Sequence, residues 1–112
     1  MRPIAWLLAL AAGSGACAVP QLDPRPTPAL IASMPDTIPC EKPVRVEAKT
    51  EGKGIAAERR WIDAYYPGHT PYSQALLADS AGRGVYDVLM FNRADGRAVS
   101  ICFDIRQWFG HW

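Results

Sequence analysis

Apolar and polar positions recur with two different periods along the chain, and these periods predict its secondary structure. From Val44 to Lys49 apolar and charged residues alternate, which predicts a half-buried strand. Residues 55–66 carry apolar side chains at helical spacing, and Pro67-Gly68 ends the predicted helix. Three further strands are predicted over residues 72–78, 85–91 and 98–105, where apolar positions alternate or are β-branched and aromatic.

Short polar segments separate these elements. Thr50–Gly54, with its two glycines, is predicted to be a turn, and residues 79–84 a loop. Asp95-Gly96 is a signal for a tight hairpin between the last two strands. The fold class is therefore predicted as α+β, with one helix packed on an antiparallel sheet of three to four strands in the order β-α-β-β-β.

The alternation also predicts which strand positions are buried. In the last strand one face carries an apolar row and Cys102 lies on the other face; the row is Val99, Ile101, Phe103 and Ile105. In the middle strand two sets compete for the core, namely Val85, Leu89 and Phe91 against Tyr86, Val88 and Met90. In the helix, Glu58 falls inside the apolar arc but near the predicted start, where a carboxylate interacts favourably with the helix dipole.

The pattern before residue 44 is not that of a folded domain. Arg2 precedes an apolar run from Ile4 to Ala12 and then small residues, which predicts a signal peptide over residues 1–16. The apolar run is shorter than the roughly 20 residues that span a bilayer. Residues 17–39 are rich in proline, which predicts an extended tether. Residues 40–112 then form a single small α+β domain.

Two cleavage patterns are present at the end of the signal peptide. Ala16-Cys17-Ala18 fits the ordinary signal peptidase, which would release a soluble chain near Val19. Ser14-Gly15-Ala16-Cys17 instead resembles a bacterial lipobox, in which Cys17 becomes the lipidated first residue. Both readings predict export, to the periplasm or to the outer membrane as a lipoprotein.

The cysteine count is odd, with three cysteines in 112 residues. If Cys17 carries lipid or leaves with the signal, Cys40 and Cys102 remain as a candidate disulfide in an oxidising compartment. Two free buried thiols are the other reading. A metal site is not expected, because there is no C-x-x-C spacing and His69 and His111 lie far from the cysteines in sequence.

Charge and motif content exclude several function classes. The net charge is +1 with no basic stripe, which gives no long-range attraction for nucleic acid. No nucleophile motif is present, and His69 in a Pro-Gly-His-Thr-Pro turn is expected to be solvated. If the hairpin turns at Asp95-Gly96, Asp87 lies roughly opposite Cys102 and is a diagonal neighbour of Asp104 on one face. This pair is the basis of an alternative function, a small acid–base hydrolase or lyase.

Aromatic residues at the C-terminus offer a different surface. Trp108, Phe109 and Trp112 crowd the end of the chain, and aromatic side chains are enriched in binding hot spots. With Tyr86 they are the candidate partner-binding residues. Trp108 and Phe109 have a second reading, in which they fold back to cap a small core.

The order of elements from Ile55 to Ile105 resembles the PepSY-like group of small exported bacterial domains. The matching residues are Tyr65-Tyr66-Pro67-Gly68 at the helix end, Val85-Tyr86-Asp87-Val88 in the middle strand, Asp95-Gly96-Arg97 in the hairpin and Phe103-Asp104-Ile105 in the last strand. The resemblance implies a domain without catalytic residues that contacts or restrains another protein. We therefore expect a non-enzymatic envelope protein with no cofactor, whose partner is an envelope protein.

Overall fold

The computed structural model describes residues 25–79, 81 and 83–112 of the chain. The predicted signal peptide and Cys17 lie outside these residues. In the described part of the chain, two helices and five strands follow one another as α1 (Pro28–Ser33), β1 (Thr37–Ile38), β2 (Val44–Arg45), α2 (Glu51–Tyr65), β3 (Ser73–Ala78), β4 (Val85–Asn92) and β5 (Ala98–Asp104). One main helix packed on one sheet confirms the α+β class.

The sheet has five strands and is mixed, whereas three to four antiparallel strands were predicted. The meander β3-β4-β5 is antiparallel, as expected. The short strands β1 and β2 both run parallel to β5 along its other edge. β1 was missed because it lies between Pro35 and Pro39, in the segment predicted as tether.

The folded domain therefore begins before residue 40. The Ser100 N–H donates to the Asp36 carbonyl oxygen at 2.9 Å, which extends the β1 pairing. Met34 and Ile38 pack against the core. The predicted boundary between tether and domain at residues 39 and 40 is wrong, because prolines break helices but still permit a short strand at a sheet edge.

The main helix begins one turn earlier than predicted. The Thr50 hydroxyl caps it by accepting from the Lys53 N–H at 3.3 Å, so the predicted turn over Thr50–Gly54 is the first helical turn. A Cβ added to Gly54 would lie 2.1 Å from Trp108 Cδ2. Gly54 thus lets the indole ring lie directly against the helix backbone.

The face of the sheet toward α2 holds the core. The apolar row of β5 is buried there, as predicted, and β4 contributes Leu89 and Phe91. This resolves the competition between the two β4 sets. The remaining central residue on that face of β4 is an acid, Asp87, which is buried as well.

The opposite, outer face of the sheet carries the disulfide. Cys40 and Cys102 are bonded, with an S–S distance of 2.06 Å. Cys102 pairs with Val88 across β4 and β5, on the face away from the apolar row. The bridge fastens the segment before β2 across the outer face at the β5 edge, and the reading of two free thiols is wrong.

The predicted strand over residues 44–49 is shorter than expected. Only Val44–Arg45 forms a strand, although Val46 and Ala48 also pack against the core and the residues between them are exposed. The alternation thus predicted burial correctly, but the backbone leaves the sheet after Arg45.

Candidate binding surface and a buried carboxyl pair

The strand β3 forms an open edge of the sheet. It pairs with β4 on one side, and in the strand order it is the last strand. Leu76 is 55% exposed and Leu77 is 46% exposed, and they lie on opposite faces because successive strand residues alternate. We call Ser73–Ala78 the β3 edge. It carries no charge and no proline.

The hydrogen bonding of the β3–β4 hairpin shows which backbone groups of the β3 edge face outward. The Asp79 N–H donates to the Gly84 carbonyl oxygen at 2.8 Å, so Asp79 and Gly84 form a hydrogen-bonded pair. Such pairs alternate along an antiparallel ladder. The odd-numbered residues of β3 therefore bond to β4, and the N–H and C=O groups of Gln74, Leu76 and Ala78 point away from the sheet.

Tyr86, one of the predicted contact residues, lies beside this edge. It pairs with Leu77 across β3 and β4, so both side chains are on the outer face. Its ring lies over Gly84, where an added Cβ would be 2.6 Å from the tyrosine hydroxyl. Tyr86 is half-buried and belongs to the surface next to the β3 edge.

The C-terminal aromatic residues do not form one surface. Trp108 is only 1% exposed and caps the core, so its prediction as a contact residue is wrong. Phe109 is 39% exposed and Trp112 is 93% exposed. The tail lies at the start of α2, where the Glu51 N–H donates to the His111 carbonyl oxygen at 2.7 Å.

Two buried carboxyl groups face each other between α2 and the sheet. Glu58 on α2 and Asp87 on β4 are each 2% exposed. Gln74 on β3 donates from Nε2 to Asp87 Oδ2 at 3.2 Å. Glu58 Oε2 and Asp87 Oδ1 have no other hydrogen-bond partner among the described residues. A proton on Glu58 that is donated to Asp87 gives both carboxyl groups a partner.

Burial governs the protonation of this pair. Desolvation, together with the hydrogen bond to Asp87 and the charge of Asp87, raises the pKa of Glu58 to about 9. Desolvation also raises the pKa of Asp87, although the hydrogen bonds from Glu58 and Gln74 oppose this rise. Glu58 is therefore the protonated member at neutral pH. The favourable dipole interaction expected for it is wrong, because α2 begins at Glu51 and Glu58 lies two turns inside it.

The predicted pairing of Asp87 with Asp104 is wrong. Asp87 pairs with Phe103 and points into the core, whereas Asp104 pairs with Tyr86 and points to the outer face. The hairpin loop causes this difference. Gly96 has a φ of 94° and donates to the Arg93 carbonyl oxygen, which adds a glycine bulge and shifts the register by one residue.

Asp104 is held by two arginines on the outer face. Arg45 Nη2 and Arg106 Nη2 both lie 3.1 Å from Asp104 Oδ2. Burial raises the pKa of the Asp104 carboxyl, but the hydrogen bonds from Arg106 and Arg45 outweigh burial and hold the pKa below its usual value. Asp104 is thus held as an anion that joins the two arginines on the outer face.

His69 is not solvated as expected, because its side chain is only 14% exposed. Its Nε2 lies 2.8 Å from Asp63 Oδ1, and its ring lies against Phe91 with the centroids 5.2 Å apart. Both contacts tie the turn after α2 to the helix and the core. His69 therefore has a structural role in this turn.

No described helix is long and apolar enough to cross a membrane. Among the described residues, no group of three or more His, Cys, Asp or Glu side chains could hold a metal ion.

Sequence reasoning missed two features of these sites. The position of Glu58 inside the apolar arc of the helix indicated that its side chain is buried. The sequence interpretation instead explained that position by an interaction of the carboxylate with the helix dipole. The β3 edge was signalled by an uncharged run with two adjacent leucines. The strand order is needed to see that β3 is at an edge of the sheet and that Asp87 on β4 lies next to Glu58.

Comparison with known proteins gives no relative. No protein-family model, no curated protein and no solved structure matches this chain.

Proposed function

We propose that this chain is an exported envelope protein whose small domain binds another protein and performs no chemistry. The observation that carries the proposal is the β3 edge, where Leu76 and Leu77 are exposed on opposite faces beside backbone groups that point away from the sheet. An open, uncharged edge strand is a template for pairing with another chain. The partner-binding role implied by the PepSY-like resemblance is of the same kind.

The absence of chemistry in this proposal is supported by how the acids are held. A general acid or base must come within hydrogen-bond reach of its substrate. Glu58 and Asp87 are closed off from solvent, and Asp104 is bound by two arginines on the other face. The alternative function of an acid–base hydrolase or lyase loses the paired aspartates on which it was based.

Export is supported by the disulfide. A bond between Cys40 and Cys102 is expected in an oxidising compartment such as the periplasm. We keep lipidation of Cys17 as part of the proposal. Intact mass of the membrane-bound and soluble fractions tests it, because a lipid-sized increment on a chain beginning at Cys17 distinguishes an anchored protein from a released one.

Site-specific photocrosslinking in living cells tests the binding function. A photoreactive residue at Leu76 is expected to give a defined protein adduct after irradiation. The matched control is the same residue at Leu30 on α1, which is 43% exposed but distant in sequence from the sheet edge. Equal adducts from both positions, or none from Leu76, would contradict binding through the β3 edge.

A further inference from the structure

We infer that the β3 edge pairs with a second copy of this chain, antiparallel, about a twofold axis at Leu76. The inference rests on the proposed function, because it names the partner of the same edge. Three observations support it: the sheet face on which each β3 residue lies, the backbone N–H and C=O groups that point outward, and the size and charge of the β3 side chains.

The faces of the sheet limit the possible registers. When two copies join edge to edge, each residue must oppose one that lies on the same face, since paired side chains share a face. A twofold axis therefore passes through a residue of β3, and the central choices are Ala75 and Leu76. A register shifted by one residue would place each leucine against the wrong face of the other copy.

The outward backbone groups choose between these two registers. The outward N–H and C=O groups belong to Gln74, Leu76 and Ala78, from the hydrogen-bonded pair at Asp79 and Gly84. With the axis at Leu76, the two Leu76 residues bond each other, and Gln74 of each copy bonds Ala78 of the other. With the axis at Ala75, the outward groups of Ala78 have no partner within the strand. The axis at Leu76 satisfies all of them.

The side chains fit the same register. On the helix side of the sheet the two Leu76 side chains meet, and both are exposed in the single chain. On the outer face Leu77 of each copy opposes Ala75 of the other, a large residue against a small one. The strand carries no charge, so two copies do not repel each other. It also lacks the lysine, proline or bulge that protects many edge strands from self-pairing.

Sedimentation of the purified, disulfide-bonded chain over a range of concentrations tests the inference. We expect a reversible monomer–dimer equilibrium. Leu76→Lys should raise the dimer dissociation constant by at least about tenfold, because it places two like charges at the axis. Leu30→Lys adds the same charge at a similarly exposed leucine and should leave the constant unchanged. A wild-type chain that stays monomeric at all concentrations, or equal effects of the two variants, would overturn the inference.

Single cysteines distinguish the two registers. Opposed residues of a hydrogen-bonded pair have Cα atoms about 5.5 Å apart, within the range of a disulfide. Leu76→Cys should therefore cross-link two copies under mild oxidation, whereas Ala75→Cys should not, since the Ala75 residues lie diagonally apart. Mass spectrometry without reduction must show Cys40 still bonded to Cys102. Cross-linking through Ala75→Cys alone would overturn the register at Leu76.

Failure of this inference can be separated from failure of the proposed function. A monomeric chain whose photoreactive Leu76 variant still forms an adduct with a different protein rejects the second copy but supports protein binding by the β3 edge. A monomeric chain without any adduct rejects both.

Discussion

The two edges of the sheet differ in whether another part of the described chain covers them. At the β5 edge, β1 and β2 pair with β5 and a disulfide joins Cys40 to Cys102. At the β3 edge, Leu76 and Leu77 are exposed and no strand of the described residues covers them. Within the described residues, the segment that holds β1 and β2 covers one edge, and the other edge is the one through which we propose that a partner binds.

The contacts that hold each edge also differ in kind. At the β5 edge, Arg93 Nε donates to Asp36 Oδ1 at 2.7 Å, and the Tyr66 hydroxyl donates to the Pro35 carbonyl oxygen at 2.7 Å. The β3 strand contacts the buried pair through Gln74, which donates to Asp87. The closed edge therefore depends on a covalent bond and ion pairs, and the open edge lies beside a titratable pair. This difference leads to four predictions.

The largest effect is expected from breaking the disulfide at the closed edge. Replacing Cys40 and Cys102 together by Ser removes a cross-link over a sequence separation of 62 residues. The chain-entropy model gives a loss of about 4 kcal/mol in the free energy of unfolding. Urea unfolding followed by tryptophan fluorescence measures it, and reduction of the wild-type chain should give the same loss. A loss below about 1 kcal/mol would contradict a stabilising role for the bridge.

The second prediction concerns pH at the buried pair. Glu58 binds its proton up to a pKa of about 9 when folded but releases it near pH 4.5 when unfolded. Between these values the folded state holds more protons, so stability falls as pH rises, by up to about 1.4 kcal/mol per pH unit. Urea unfolding from pH 6 to pH 8 tests this. Asp104 has a lowered pKa and affects stability only at lower pH.

Glu58→Gln provides the control for the pH prediction. The amide keeps a donor for Asp87 but cannot release a proton, so stability should become nearly independent of pH over the same range. Hydrogen-exchange protection factors, which correct for the intrinsic rise of exchange with pH, should show where the wild-type effect lies: they should fall at high pH in β3 and change little in β1 and β2. A wild-type stability that is flat from pH 6 to pH 8 would show that Glu58 is not protonated in the folded state.

The meander was the most predictable part of the fold. The alternation of apolar residues and the Asp95-Gly96 turn predicted the ends of β3, β4 and β5 to within about one residue. Both are local signals, which sequence alone contains. The register between β4 and β5 was not predictable from the dipeptide alone. The same Asp-Gly suits a two-residue turn and a longer loop with a glycine bulge, and these differ by one residue in pairing.

The first turn of α2 and the buried pair depend on contacts between distant residues. Gly52 and Gly54 disfavour a helix locally, so a turn was predicted. The packing of Trp108 on Gly54 outweighs that local preference, and no periodicity shows which residue will meet a glycine. Likewise the partner of Glu58 is Asp87, on a strand that sequence spacing alone does not place beneath it.

The third prediction weakens the closed edge without touching the disulfide. Arg93 joins Asp36 and the Met34 carbonyl oxygen, and its guanidinium lies 4.9 Å from the centre of the Tyr66 ring. Arg93→Ala should lower the free energy of unfolding by about 2 kcal/mol, because charged hydrogen bonds to the N-terminal segment are lost. Hydrogen exchange should increase in β1 and not in β3. Arg93→Lys keeps the charge but not the several N–H donors of the guanidinium, so its free energy of unfolding should lie between those of the wild type and Arg93→Ala. Equal exchange in both strands would contradict a local role.

The smallest effect on stability is expected at the open edge, where the effect on association should be largest. Leu76→Lys and Leu77→Lys replace exposed side chains, so each should change the free energy of unfolding of the single chain by no more than about 0.5 kcal/mol. Urea unfolding at low concentration measures this, with Leu30→Lys as the matched exposed leucine. A loss above about 2 kcal/mol in the free energy of unfolding of Leu76→Lys would mean that the Leu76 side chain stabilises the monomer. The β3 edge would then be part of the core packing. A small change in stability together with lost pairing would instead assign both leucines to the interface alone.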